Sequence, residues 1–185
     1  MPGTAFGRTA RVRRARRGFT LIEVAFAITV LLVALMSLSA ASLSMHSLRR
    51  QNRERAVAQN AVRTVAENVH SVARKEIGQP GSWAQNVVGS LCPHGMLQAS
   101  FDVPGLNPQD GDAHVGTMTF VADETATDAS LGVQLGMPRD LDGDGIVGST
   151  NVLATGRILP VVVRIRWQGV RGNVQIVHPL FVNGY

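Results

Sequence analysis

The sequence predicts an α+β fold, in which a long N-terminal helix packs on a small C-terminal antiparallel β-sheet. Residues 24–48 contain no Asp, Glu, Lys or Arg, and a run of this length exceeds the roughly 20 apolar residues that cross a bilayer. No proline or glycine interrupts residues 19–77, so one helix can continue past that run. Near the C-terminus, two alternating apolar segments flank a glycine-containing turn, which is typical of a β-hairpin.

Residues 1–18 precede the apolar run and are predicted to be a leader peptide outside the fold. They carry six arginines, and cations before a span stay in the cytoplasm, so we expect the C-terminus to lie outside. The formal net charge of the whole chain is +5. Removing the leader leaves twelve basic residues against 13 acidic ones, so the charge does not indicate nucleic-acid binding. The leader arginines are Arg8, Arg11, Arg13, Arg14, Arg16 and Arg17.

The junction between the leader and the apolar run has a distinctive order. Gly18 and Phe19 are followed by Thr20-Leu21-Ile22 and then by Glu23. This pattern resembles the processing and methylation site of type IV prepilins, the precursors of pilins and pseudopilins. The resemblance implies that a membrane-embedded prepilin peptidase cuts after Gly18 and that the new amine of Phe19 is methylated.

Glu23 has two interpretations. Thr20 and Glu23 have the spacing of a capping box, which satisfies the first amides of a helix. A carboxylate inside an apolar segment is nevertheless costly and asks for a functional reason. The resemblance to prepilins supplies one, because it implies that Glu23 meets the N-terminal amine of a neighbouring subunit during assembly. Both roles are compatible.

The predicted helix has two halves. Residues 19–48 are apolar all round, as lipid or a filament core requires, whereas residues 49–77 are amphipathic. Arg50 with Glu54 and Arg63 with Glu67 lie four residues apart and can form ion pairs. The segment Gly78-Gln79-Pro80-Gly81-Ser82 ends the helix. The apolar stripe of the second half consists of Ala58, Val62, Val65, Val69 and Val72.

Residues 78–185 are predicted to form a loop-rich β domain. The segment 83–114 shows little pattern apart from a short helix or strand near 97–103. Strands are expected at 115–121, more weakly at 131–135, and in a hairpin whose arms are 158–167 and 174–182, joined by a turn at 169–173. Pro179 suggests that the last strand frays or lies at a sheet edge. Side chains of the first arm that face the helix are Val161, Val163, Ile165 and Trp167, with Val162, Arg164 and Arg166 facing away.

An acidic, glycine-rich stretch lies between the strand predicted at 131–135 and the C-terminal hairpin. Asp140, Asp142 and Asp144 alternate before a glycine, as in the first half of an EF-hand calcium loop. The carbonyl of Ile146 would be a further ligand. The twelfth position is Asn151 instead of glutamate, and no flanking helices are evident. The stretch resembles the calcium loops of dockerin-like modules and of some pseudopilins, so calcium is an expectation here, and a solvated Asp-Gly turn is the alternative.

Other chemical motifs are weak. Residues 143–148 spell a formal GxGxxG, but they follow no strand and precede no helical pattern, which argues against a dinucleotide site. Cys92 is the single cysteine and is expected to be a buried free thiol. Cys92, Pro93 and His94 offer too few ligands for zinc. We find no nucleophile–base signature or phosphate loop in the sequence, so we do not expect an enzyme.

The sequence therefore favours a structural subunit, a minor pilin or pseudopilin of a type IV pilus or a type II secretion system. Its expected partners are prepilin peptidase, other pilin or pseudopilin subunits and inner-membrane lipid, with no nucleic acid. It would be a single-pass inner-membrane protein, with its C-terminus outside, before it enters the filament. One alternative is a membrane-anchored extracytoplasmic calcium-dependent binding module with an uncleaved anchor. Another is a secreted domain cut by ordinary signal peptidase near Ala41 or Ser42.

Overall fold

A computed structural model describes residues 20–93, 96–109 and 111–185. Gly18 and Phe19, together with the rest of the predicted leader, lie outside the described residues. The chain divides into two compact units, residues 1–45 and 46–185, and a single helix, α1 (Leu21–Lys75), contributes to both. The helix ends two residues before the predicted Ile77, and a turn follows it.

In the first unit, the described residues are the start of α1. Every residue from 21 to 45 is exposed, although most of these side chains are apolar. The hydroxyls of Thr29, Ser37 and Ser39 donate to the carbonyls four residues earlier, at 2.7–2.9 Å. This arrangement suits lipid, where polar groups must be satisfied within the segment. By length and composition α1 can cross a membrane, a test that signal sequences also pass.

The second unit contains a four-stranded antiparallel sheet in the order β1-β2-β3-β4. Its strands are β1 (Gln98–Phe101), β2 (Gly116–Phe120), β3 (Ile158–Gly169) and β4 (Gly172–Asn183). Short helices α2 (Trp83–Leu91) and α3 (Asp128–Leu131) lie in the connections. The α+β prediction is confirmed.

The main core of this unit is formed by side chains of α1 and one face of the sheet. The four inward-facing residues predicted for β3 are each at most 1 % exposed. The helix contributes Ala58, Val62, Val69 and Ala73. Val72 is only partly buried, because it is turned about 100° from Ala73 around the helix axis. Cys92 joins the core as a buried free thiol, as predicted.

The opposite face of β3 is not fully solvated. Val162, predicted to face away from the helix, is 4 % exposed and packs in a second apolar cluster formed with residues of the segment 121–157. This segment lies between β2 and β3 and brings the acidic loop against the sheet. The buried residues that this segment contributes to the second apolar cluster are Val121, Leu135, Met137, Leu141 and Val152.

The strand predicted at 131–135 is wrong. The structure has α3 just before it, ending at Leu131, and Gly132 in the left-handed conformation begins a turn that leads into irregular chain. Thr127 and Ser130 form a reciprocal capping box, and this local hydrogen bonding stabilises a helical turn instead of extended chain. The weak pattern of residues 83–114 did not predict α2. β1 lies within 97–103, where a short helix or strand was expected.

The terminal hairpin is confirmed and is longer than predicted. Its register pairs Gly169 with Gly172, so the connection consists of only Val170 and Arg171 instead of the predicted five-residue turn. β4 forms one edge of the sheet, in agreement with the position inferred from Pro179.

Candidate functional site

The first described turn of α1 contains the polar residues of the N-terminal motif. The backbone amide of Glu23 donates to the carbonyl of Thr20 at 3.0 Å and approaches its hydroxyl Oγ1 at 3.4 Å. Thr20 therefore caps the helix, which is one half of the predicted capping box. Glu23 is exposed and is the acid of the first turn. A carboxylate at this position is stabilised by the partial positive charge of the helix N-terminus.

A second candidate site is the acidic loop of the segment 121–157. Asp140 accepts backbone hydrogen bonds from Gly143 at 2.5 Å and from Gly145 at 2.9 Å. Both glycines have positive φ, 80° and 85°, a conformation that other residues adopt only with strain. The Asp-Gly repeats thus fold the backbone around one carboxylate. Residues 143–148 form part of this exposed loop, and no helix follows them, so the GxGxxG match does not form a dinucleotide turn.

Glu124 is the most deeply buried charged group of this region, at 1 % exposure. Its Oε1 accepts from the amide of Leu141 at 2.7 Å, and its Oε2 accepts from Gly148 and Ser149 at 3.3 and 3.1 Å. One carboxylate therefore contacts both ends of the loop 140–149. Glu124 could not be recognised from the sequence, because it lies 16 positions before Asp140 and belongs to no motif.

Backbone amides stabilise the ionised forms of Glu124 and Asp140. Burial alone would raise the pKa of Glu124, but backbone amides, led by those of Leu141 and Ser149, lower it below its ordinary value. Amides of Gly143 and Gly145 likewise lower the pKa of Asp140. Several backbone donors thus stabilise the negative charges at the positions that they occupy.

Three carboxylates approach one another closely enough to share a cation. Atoms of Glu124, Asp140 and Asp142 lie within 4.8 Å of one another. Carboxylate oxygens are the ligands of hard cations such as calcium, and an ionised carboxylate offers about four lone-pair sites in all. The structure therefore brings together two of the sequence-predicted residues and adds Glu124.

The remaining predicted ligands have other contacts. Asp144 is exposed, and its Oδ1 accepts from the amide of Ile146 at 2.7 Å. Asn151 accepts from the amide of Leu153 at 3.1 Å. Asp142 also accepts from the hydroxyl of Thr155 at 2.8 Å, which orients its carboxylate. Among the described residues, Asp144 is not part of the three-carboxylate group.

A separate carboxylate, Asp128 at the start of α3, is held in a similar manner. It accepts from the amides of Leu135, Gly136 and Met137 at 2.9–3.1 Å. The amide of Met137, followed by that of Leu135, lowers the pKa of Asp128 below its ordinary value. The stabilisation is therefore complete above the ordinary pKa and is lost as the pH falls through the lowered folded-state pKa.

We expect Asp128→Asn to lower the thermal midpoint at neutral pH and to weaken its dependence on pH below about 4, the ordinary range of an aspartate. The measurement is thermal unfolding of the detergent-solubilised chain between neutral and acidic pH. Glu67→Gln, which changes an exposed acid of α1, is the control and should leave the curve close to that of the parent. Identical curves for Asp128→Asn and the parent would contradict this assignment.

Comparisons with known proteins concern the N-terminal site. Residues 13–39 match the family described as "Prokaryotic N-terminal methylation motif". The match includes Gly18, Phe19 and Glu23, as well as residues 24–39 of the apolar run. No curated protein and no solved structure matched the chain. The chain therefore carries the prokaryotic N-terminal methylation motif, the signature of type IV pilin and pseudopilin precursors.

Proposed function

We propose that this chain is a structural subunit, a minor pilin or pseudopilin, of a type IV pilus or a type II secretion system. The observation that carries the proposal is the methylation motif at residues 13–39. The exposed apolar stretch of α1 supports it, because such a surface in water would be an aggregation hazard and needs lipid or other helices around it.

The order of events follows from the charges and the motif. The arginine-rich leader stays in the cytoplasm while residues 24–48 enter the inner membrane and the C-terminal domain lies outside. Prepilin peptidase then cuts after Gly18, and the amine of Phe19 is methylated. Loss of the leader leaves a cationic N-terminus four residues before Glu23.

Glu23 would then guide assembly. A carboxylate and an amine attract strongly where little water screens them. Within one chain, however, the helix directs the Glu23 side chain outwards from its exposed first turn. The amine of a neighbouring subunit is the partner that we assign to it, which would fix the axial offset between adjacent helices.

Fractionation tests this function. Filaments sheared from cells should contain the mature chain. A chain that stays entirely in the membrane fraction would instead select the alternative, a membrane-anchored calcium-dependent binding module. An intact leader on the purified protein would point the same way.

The acidic loop favours calcium as a ligand of the C-terminal domain. We propose that Glu124, Asp140 and Asp142 form the centre of the site, since their carboxylates approach one another most closely. Asp144, the carbonyl of Ile146 and Asn151 are additional ligands in this proposal. Bound calcium would offset the repulsion among the acids and tie the loop to the second apolar cluster.

We expect isothermal titration of the detergent-solubilised chain to show weak calcium binding, with a Kd on the order of 10⁻⁴–10⁻³ M. Asp142→Ala should weaken binding by at least about tenfold, because it removes a charged ligand. Asp102→Ala, which changes an exposed acid outside the loop, is the matched control and should bind like the parent. If no calcium binds to the parent chain, the loop is a solvated turn clamped by Glu124.

A further inference from the structure

Four arginines lie directly after the apolar run of α1. Arg49, Arg50, Arg53 and Arg55 fall within seven residues, and all four are exposed. We propose that this arginine collar binds the phosphates of anionic phospholipid headgroups on the side of the membrane that faces the C-terminal domain. The inference rests on the proposed function in one respect, namely that residues 24–48 span a bilayer.

The collar keeps most of its positive charge. Glu54 is its single acid, and its Oε1 pairs with Arg50 Nε at 3.0 Å. The Glu54 side chain is 11 % exposed, so it faces inwards and contributes little to the surface. Arg49, Arg53 and Arg55 have no ion pair with any residue in the described part of the unit 46–185. Three guanidinium groups thus remain for an external anion.

The collar surrounds much of the helix. At about 100° per residue, the arc from Arg55 through Arg49 to Arg50 covers about 220°, more than half of the circumference. The core-facing side, which includes Ala58, occupies the remaining arc. Headgroups can therefore approach from every side that the sheet does not cover.

The axial positions of the four arginines match the headgroup layer. With a rise of 1.5 Å per residue, the α-carbons of the collar lie about 1.5–10 Å beyond that of Leu48, the last residue of the apolar run. The polar layer of one leaflet is about 5–8 Å thick, from the difference between total and hydrocarbon thickness. The collar therefore coincides with the phosphates when the apolar run fills the hydrocarbon.

The structure also provides a concave site on the collar. Arg50 and Arg53 line a groove of about 340 Å³, whose other walls are Val57, Pro104 and Gly105, together with Glu54. Guanidinium groups bind phosphate oxygens through pairs of parallel N–H donors. Arg50 is paired with Glu54 in this groove, so Arg53 is the guanidinium that it offers to a lipid phosphate, beside the apolar side chain of Val57.

Membrane topology gives a further reason to expect such a partner. The leader contributes six arginines that hold the N-terminus inside, and the collar places four arginines at the other end of the same span. These four reduce the charge asymmetry that orients the helix. Anionic headgroups on the far side would offset this conflict, because each nearby lipid phosphate attracts the collar.

The test uses the chain from Phe19 onwards, without the six arginines of the leader, in vesicles that contain phosphatidylcholine with either spin-labelled phosphatidylglycerol or spin-labelled phosphatidylcholine. We expect phosphatidylglycerol to associate with the parent at least about threefold more strongly than phosphatidylcholine, and salt to reduce this preference by screening. The triple variant Arg49→Gln, Arg53→Gln, Arg55→Gln should lose it. The control triple Arg63→Gln, Arg74→Gln, Lys75→Gln removes as many cations from the same helix and should keep it.

Three outcomes would overturn the proposal. One is the absence of a preference in the parent, and another is an equal loss in both triple variants. The third is abolition of the preference by inorganic phosphate at an ionic strength at which sodium chloride leaves it, which would make the collar a general anion site. Carbonate extraction separates these from failure of the proposed function: a chain that does not insert overturns both, whereas insertion without lipid preference overturns the collar alone.

Discussion

Gly18→Glu should leave the leader on nearly every copy of the chain. A protease needs an extended peptide that its catalytic groups can approach closely, and glycine at this position allows that approach because it has no side chain. A glutamate adds bulk and a negative charge next to the bond to be cut. Intact mass measurement of the membrane-purified protein should show the full precursor, and the chain should be missing from sheared filaments.

Gly7→Glu is the matched control for this variant. It introduces the same residue into the same leader and lowers the leader charge by the same amount, but it lies well before the junction. Processing of this control should be normal. If Gly18→Glu is trimmed as completely as the control, then the bond after Gly18 is not the processing site.

Glu23→Val should abolish most filament incorporation and preserve membrane insertion. Valine suits an apolar helix, so the span becomes less costly to insert. What is lost is the attraction to the amine of a neighbouring subunit, which is strong where water is excluded. Incorporation is measured as the fraction of mature chain in sheared filaments, with carbonate extraction as the measure of insertion.

Two further variants separate assembly from helix capping. Thr20→Ala removes the hydroxyl that caps the first turn but leaves the carboxylate, and Glu67→Val removes an exposed acid farther along α1. Both should enter filaments nearly as well as the parent. If Thr20→Ala fails to the same extent as Glu23→Val, the role of Glu23 is the stability of the first helical turn.

Long periodic patterns predicted much of the fold. The alternation in β3 placed Val161, Val163, Ile165 and Trp167 correctly, because one apolar face of a strand must be buried. The uninterrupted stretch before Gly78 likewise predicted one helix to within two residues of its end. These features depend on residues that are close in sequence, where side-chain periodicity is informative.

Short elements and non-local contacts could not be predicted. A weak strand was expected at 131–135, but the capping box of Thr127 and Ser130 favours a helical turn that ends at Leu131, and irregular chain follows it. Val162 is buried because the segment 121–157 packs against it. The sequence pattern of β3 alone cannot predict this contact. Glu124 is the clearest case, since its contacts join residues 17 to 25 positions away.

The candidate sites differ in the same way, because one is defined by neighbouring residues and the other depends on a contact between distant ones. The N-terminal motif is contiguous, so it can be recognised from order alone, and the family match spans the same region, residues 13–39. In the acidic loop, Asp140 and Asp142 can be recognised from their alternate spacing in the sequence. Its third close carboxylate comes from elsewhere in the chain, and only the folded backbone brings it there.

The mass of the native N-terminus tests the central claim most directly. Mass spectrometry of the chain purified from its own membranes should find a polypeptide that begins at Phe19 and carries one methyl group on its amine. A native polypeptide that begins at Met1, or one that begins near Ala41 or Ser42, would contradict the account.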